Sequence, residues 1–191
     1  MSKPNARTIF ALVAVALLVF VAAVGAVVAL AVRDADKPEP TITAYSHGKS
    51  VTVEPFMYCN VQMEDCRVLP KDGESLLPIE LACTDGKDCH TGSFTDLDVP
   101  AGYPLQLSLP RDIAENPWVA EAYYELPDGT IMPKRLSHRD YDAGTVAVTI
   151  PSAPRLPLIG VEFQLPILAR DTTTGEEGYI PHAAWSIRTS S

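Results

Sequence analysis

Aromatic side chains and charges are both scarce in this 191-residue chain, at 7% and 20% of the residues. Almost half of the residues are hydrophobic, so the chain is too apolar to be intrinsically disordered. Beyond its N-terminal segment it lacks amphipathic runs of helical period, and its 17 prolines argue against a helical bundle. The length is sufficient for one domain of ordinary size and a short additional segment, which excludes a large multidomain protein.

The sequence also lacks the common signatures of catalytic and nucleotide-binding sites, namely GxSxG, GxxxxGK, GxGxxG and HExxH. The run Ser137-His138-Arg139-Asp140 holds the three residue types of a hydrolase triad. Triads are assembled from separate chain segments, because adjacent side chains do not reach one another in the required geometry. We therefore interpret the run as a solvated loop and predict no enzyme, no catalytic residue and no cofactor. A hydrolase or transferase built from scattered His, Asp and Ser is the weakest alternative, since residue type alone supports it.

No cysteine precedes position 59, which excludes a lipid-modified cysteine at the end of the N-terminal apolar segment. Cys59, Cys66, Cys83 and Cys89 follow, and their spacings are too wide for zinc sites, whose paired ligands lie about two to four residues apart. We predict disulfides and no metal. Of the three possible connectivities, Cys59 with Cys66 and Cys83 with Cys89 is preferred, because short loops close at the least entropic cost. Each bond would stabilise the fold by about 2.5 kcal/mol.

The strongest signal is an apolar run over residues 9–32, which contains no charge and is almost entirely Ala, Val, Leu, Ile and Phe. A helix of this length extends about 36 Å, enough to cross a hydrocarbon core of about 30 Å. Ala29-Leu30-Ala31 is an acceptable signal-peptide cleavage site, but the apolar region of a signal peptide usually has about 7 to 15 residues. We favour an uncleaved transmembrane anchor over a signal peptide cleaved after Ala31.

The orientation follows from the cysteines rather than from the flanking charges. Lys3 and Arg7 precede the apolar run while Arg33 and Lys37 follow it, which leaves little asymmetry. All four cysteines follow the run, and disulfides persist in oxidising compartments outside the cytosol. We therefore expect a single-pass protein of the cytoplasmic membrane with its N-terminus inside and the bulk of the chain outside.

The net charge of −9 is unevenly divided, with +2 on residues 1–37 and −11 on the remainder. An acidic exported part repels nucleic-acid phosphates and anionic lipid headgroups. We expect no nucleic-acid partner and no large-area contact with anionic lipid. Solubility is a sufficient reason for such a charge.

The predicted organisation is a cytoplasmic tail (1–8), a transmembrane anchor (9–32), a polar, Pro-containing linker (33–40) and an extracytoplasmic domain (41–191). In the last of these, short β-branched runs alternate with Pro, Gly and Asp, a pattern typical of strands and turns.

The candidate strands are residues 41–45, 50–54, 79–83, 92–97, 105–109, 118–126, 145–150, 158–165 and 183–188. Pro127-Asp128-Gly129 predicts a turn that leads into residues 130–132, and residues 111–116 can form a helical turn. Nine short strands at this spacing predict an all-β fold, an immunoglobulin-like β-sandwich.

Two further clusters have structural explanations. Asp85, Asp88, Asp96 and Asp98 could hold calcium in an extracellular loop, but the EF-hand pattern is missing, so we favour a polar loop held by a disulfide. The aromatic residues of the 118–126 strand, like Trp185, are better explained as core anchors than as a ligand platform.

The order of several short motifs resembles the actinobacterial domain-of-unknown-function family numbered 2771. The motifs are Tyr58-Cys59-Asn60-Val61 with Cys66 soon after, Leu105 to Pro110, Asn116-Pro117-Trp118-Val119 running into Tyr123-Tyr124, and Trp185-Ser186-Ile187. The resemblance covers most of residues 41–188. It implies an exported protein anchored in the cell envelope, and it implies no activity.

Two functions are compatible with this sequence. The first is an accessory or scaffolding subunit of an envelope or membrane-protein complex that acts through protein–protein contacts, a role common among sandwich folds. The second is an envelope protein that binds a lipid or small molecule between its sheets or beside the anchor, which requires an apolar cavity. The partner is unidentified in both.

Overall fold

The computed structural model describes residues 6–34, 38–71, 81, 83, 89–170 and 173–189. The chain divides into two compact units, residues 1–38 and residues 39–191.

The first unit contains one helix, α1 (Ala6–Asp34). Its central part, Leu12–Ala31, is long and apolar enough to cross a membrane, and its side chains are exposed throughout. A signal sequence near the N-terminus would have the same length and composition. This helix and the β-rich unit that follows fit a membrane-anchored protein.

The second unit is built from twelve described strands and one short helix, α2 (Arg111–Ala114). The strands are β1 (Ile42–Ser46), β2 (Lys49–Val53), β3 (Met57–Tyr58), β4 (Val68–Leu69), β5 (His90–Thr91), β6 (Thr95–Asp96), β7 (Leu105–Ser108), β8 (Val119–Glu125), β9 (Ile131–Ser137), β10 (Ala147–Ile150), β11 (Leu158–Arg170) and β12 (Glu177–Arg188).

These strands form two sheets. The smaller sheet has the order β10-β7-β1-β2, and its strands pair antiparallel. The larger has the order β5-β4-β3-β12-β11-β8-β9, with β6 paired to β12. The two sheets pack face to face as a sandwich, because alternate residues of each strand point inward and are apolar.

The main core lies between the sheets. Its largest fully buried side chains are Trp118, Trp185 and Phe163, whose rings lie in a row. Phe163 is 5.0 Å from Trp118 and 6.2 Å from Trp185, measured between ring centroids. The indole N–H of Trp185 donates to the Pro40 carbonyl oxygen at 3.0 Å, which fixes the start of the domain against the core.

A second, smaller core covers part of the opposite face of the larger sheet. It consists of Met57, Cys59, Cys66 and Ala184, with Phe56 and others packed around it. Ala184 lies between Ala183 and Trp185 on β12, both of which belong to the main core, so its side chain points the other way. We call this opposite face the outer face of the larger sheet.

The two-sheet β-sandwich predicted from the sequence is confirmed, whereas the immunoglobulin-like strand order stays a prediction. The nine predicted strands were too few. The predicted strand 92–97 is wrong, because only β6 forms there and Gly92 is in loop structure against the Phe56 backbone. The predicted strand 79–83 lies mostly outside the described residues.

The largest errors concern length. The hairpin strand predicted at 130–132 extends to Ser137 as β9, and β11 and β12 extend well beyond the predicted 158–165 and 183–188. The added parts of β11 and β12 form the feature from which the candidate site is built.

Candidate functional site

The extended halves of β11 and β12 form a two-stranded ribbon that continues past the larger sheet. We call residues 166–170 and 177–181 the arm. Strand β8 begins at Val119 opposite Gln164, so the arm has no β8 neighbour. The register shifts where the arm begins, and Pro166 is paired with Pro181 there. Because proline has no N–H to donate, this pair weakens the ladder at the point where the ribbon leaves the sheet.

A groove of about 420 Å³ lies between the arm, the start of β8 and the end of β9. This volume is within the range of about 300–1,000 Å³ that small-molecule sites occupy. Its apolar lining consists of Pro117, Val119, Pro166 and Tyr179. Tyr179 is 70% exposed, so its ring is accessible to a ligand in the groove.

The polar lining of the groove is basic. Arg135, His138 and Arg139 contribute to it together with Ser137, and the described lining contains no carboxylate. Arg135 lies opposite Glu121 across the β8–β9 pair. Within the described part of the chain, neither Arg135 nor Arg139 forms an ion pair. The charged side chains of the described lining are therefore basic, in a domain that is acidic overall.

The local structure of residues 137–140 explains how this wall is held. Ser137 caps a 3-10 turn at His138–Asp140, with its backbone N–H donating to the Asp140 carboxylate at 2.7 Å and its hydroxyl accepting from the Arg139 N–H at 3.3 Å. The ring nitrogen Nδ1 of His138 is 3.3 Å from the Trp118 carbonyl oxygen. The run that resembles a triad by residue type is thus a capped turn, which presents Arg139 and His138 to the groove.

A polar row crosses the outer face beside the groove. Tyr123 donates its hydroxyl to Glu121 at 3.0 Å, and Gln164 donates its amide to Glu162 at 2.7 Å. Partial burial, followed by the hydrogen bond to Glu121 and the nearby charge of Glu162, raises the pKa of Tyr123 to about 12. Glu121 and Glu162 lie opposite each other across β8 and β11, so two like charges meet on this face.

The structure joins Cys59 to Cys66, the first disulfide, and Cys83 to Cys89, the second disulfide. The first is buried in the small core of the outer face, whereas Cys83 is exposed. Neither disulfide lines the groove. The backbone carbonyl oxygen of Cys59 also lies 3.0 Å from His182 Nδ1, which links the first disulfide to β12.

The other predicted features lie elsewhere. Asp98 pairs with Lys49 at 2.7 Å and Asp96 with Arg188 at 3.0 Å, while Asp85 and Asp88 lie outside the described residues. Among the residues that the structure describes, no cluster of His, Cys, Asp and Glu could hold a metal ion. The aromatic residues Trp118, Tyr124 and Trp185 are buried in the main core.

Sequence reasoning missed the groove. Tyr179 is distant in the chain from Arg135 and Arg139, and only the long β11–β12 ribbon brings it to the end of β9. Two signals were present: the basic pair Lys134-Arg135 in a strand-forming run, and the prolines at 166 and 181 that flank the arm.

Comparison with known proteins shows the family of the chain and adds no activity. A family model described as "Protein of unknown function (DUF2771)" matches residues 35–190. The chain is 35% identical over 169 residues to the uncharacterized protein Mb0899c of Mycobacterium bovis and to the uncharacterized protein Rv0875c of Mycobacterium tuberculosis, covering 87% of each chain. No solved structure matches. The chain belongs to the DUF2771 family.

Proposed function

We propose that this protein is a membrane-anchored, extracytoplasmic accessory or scaffolding subunit of an envelope or membrane-protein complex, and that it acts through protein–protein contacts. The observation that carries the proposal is the free edge formed by β9. Among the described strands this seven-residue strand pairs only with β8, on one side, and its first five residues are all exposed.

A free edge strand of this length offers unpaired backbone groups to another chain. Ile131 is 60% exposed and Met132 is 37% exposed at the end of β9 that is remote from the groove, so apolar surface accompanies the free backbone. Pro133 and Lys134, in the same strand, are residues that limit indiscriminate edge-to-edge pairing. The apolar surface of Ile131 and Met132, combined with Pro133 and Lys134, favours a specific partner over self-association.

The membrane location rests on α1, and the extracytoplasmic orientation rests on the disulfides. The segment 9–32 is apolar and long enough to anchor the chain. Two disulfides and no free cysteine among the described residues suit an oxidising compartment.

Site-specific photo-crosslinking of the full-length protein in its own membranes tests the proposal. A photoreactive amino acid replaces Ile131 in β9, and the matched control replaces Val146, which is 46% exposed beside the smaller sheet. We expect a discrete protein crosslink from position 131 that is absent from position 146, and co-purification of the same protein in mild detergent. Equal crosslinking from both positions, or no co-purifying protein, would refute the proposal.

Small-molecule binding is a second candidate function, and the groove is the observation that favours it. The space between the sheets is filled by Trp118, Trp185, Phe163 and their neighbours, so the described core does not support a lipid between the sheets. The groove supplies an apolar wall and a few polar groups on the outside of the sandwich instead. Native mass spectrometry of the full-length protein tests this function, because a bound small molecule adds its mass to that of the chain.

A further inference from the structure

We propose that the groove between the arm and the end of β9 binds the phosphate group of an amphiphilic molecule. Arg135, Arg139 and His138 hold the phosphate, and the ring of Tyr179 covers the apolar part. This inference rests on the small-molecule function proposed above and names the chemistry of its ligand.

The charge of the lining is the first argument. Two guanidinium groups and an imidazole line one groove, no carboxylate lines it, and neither arginine is ion-paired within the described residues. The two acids nearest in sequence or register accept hydrogen bonds outside the groove, Glu121 from Tyr123 and Asp140 from Ser137, and neither lines it. The charged side chains that face the groove among the described residues are therefore all basic.

The number and geometry of the donors favour phosphate over a carboxylate. Each guanidinium offers a planar fork of N–H donors that matches two oxygens, and two such forks would occupy all of the about four acceptor sites of one carboxylate. A phosphate monoester has three terminal oxygens and up to two negative charges. His138 adds a third donor or acceptor at the same wall.

The apolar wall of the groove indicates that the ligand also has an apolar part. Tyr179 is 70% exposed, and Pro117, Pro166 and Val119 extend the apolar surface around it. A bare anion would leave this wall in contact with water, whereas an attached sugar, glycerol or acyl portion would cover it. The ligand class is therefore a phosphate monoester joined to an apolar or ring-containing part, either a soluble phosphorylated molecule or a lipid with a terminal phosphate.

Fluorine NMR of the full-length protein, labelled with fluorotyrosine and held in phosphatidylcholine nanodiscs, tests the inference. The Tyr179 resonance is assigned with Tyr179→Phe, and the probes are inorganic phosphate and glycerol 3-phosphate at constant ionic strength. We expect both probes to shift this resonance, and acetate to bind at least about tenfold more weakly.

The variants Arg135→Gln and Arg139→Gln should each weaken glycerol 3-phosphate binding by about tenfold, because each removes charge-assisted hydrogen bonds. The matched control is Arg155→Gln, an exposed arginine that does not line the groove, and it should leave binding unchanged. Weakening by Arg155→Gln to the same extent, or equal affinity for acetate, would overturn the inference.

A further experiment distinguishes the two sources of phosphate. Nanodiscs in which phosphatidic acid, whose phosphate is a monoester, replaces part of the phosphatidylcholine should shift the Tyr179 resonance and compete with glycerol 3-phosphate if the ligand is a lipid. No competition assigns the site to a soluble phosphorylated molecule. If the uncharged amphiphile octyl glucoside shifts the Tyr179 resonance and no phosphate probe does, the phosphate assignment is overturned and small-molecule binding is still supported. If no probe shifts the resonance, both the phosphate assignment and the small-molecule function are refuted.

Discussion

Phe163 is the residue whose replacement tests most directly that the sandwich has one continuous core. Its side chain is 1% exposed and lies between the two tryptophans, 5.0 Å from Trp118 and 6.2 Å from Trp185 between ring centroids. Phe163 lies on β11, between its register partners Ala120 on β8 and Trp185 on β12. A change at this position therefore affects three central strands of the larger sheet.

The expected loss of stability follows from these contacts. Phe163→Ala removes a buried ring and leaves a cavity, which should lower the free energy of unfolding by about 3–5 kcal/mol. Phe163→Leu keeps much of the volume and loses two aromatic pairs worth about 0.5–1.5 kcal/mol each, so about 1–3 kcal/mol is expected. Domains of this size have a total stability of about 5–15 kcal/mol, so both losses are measurable.

Urea unfolding of the full-length protein in an uncharged detergent, followed by tryptophan fluorescence, is the assay. The chain has only two tryptophans, and both lie in the core of residues 39–191, so the signal reports on that unit. Tyr179→Ala on the exposed arm is the control and should change stability by less than about 0.5 kcal/mol. If Phe163→Ala costs less than about 1 kcal/mol, or no more than Tyr179→Ala, the reasoning about the core is wrong.

Three further predictions concern the disulfides, a tyrosine and a glycine. Mild reduction followed by alkylation and mass spectrometry should show the second disulfide opening before the first, because Cys83 is exposed and the first disulfide is buried; the reverse order would contradict this. Because the pKa of Tyr123 is raised from 10.0 to about 12 in the folded state, the free energy of unfolding should fall as the pH rises from 10.0 to about 12. Tyr123→Phe should flatten this fall in urea titrations across that pH range, and an unchanged slope would count against the raised pKa. Gly92→Ala should lower the free energy of unfolding by about 2–3 kcal/mol in the same assay, because a β-carbon there would overlap the Phe56 carbonyl oxygen. Gly178→Ala, where the surrounding space is open, is its control and should cost much less.

Composition and local pattern sufficed for the class of the fold. The long uncharged run predicts a helix by length and apolarity alone, because a membrane span is a property of one continuous segment. Alternation in runs such as 105–109 and 145–150 predicts β7 and β10, because a strand with one buried face has a period of two. Asn116-Pro117 likewise indicates where the short helix α2 must end.

The tertiary structure decided everything that depends on distant partners. Pro166 and Pro181 are local signals against a continuing strand, yet β11 and β12 continue past them as the arm because each strand supplies the other's hydrogen bonds beyond the sheet. The same ribbon brings Tyr179 beside Arg135 and Arg139, residues about forty positions earlier in the chain. No periodicity in the sequence predicts that these three residues lie close together. The sequence by itself determined an apolar N-terminal helix and a β-rich domain, whereas only the strand order of the larger sheet and the length of its β11–β12 ribbon decided which residues form the free edge and the groove.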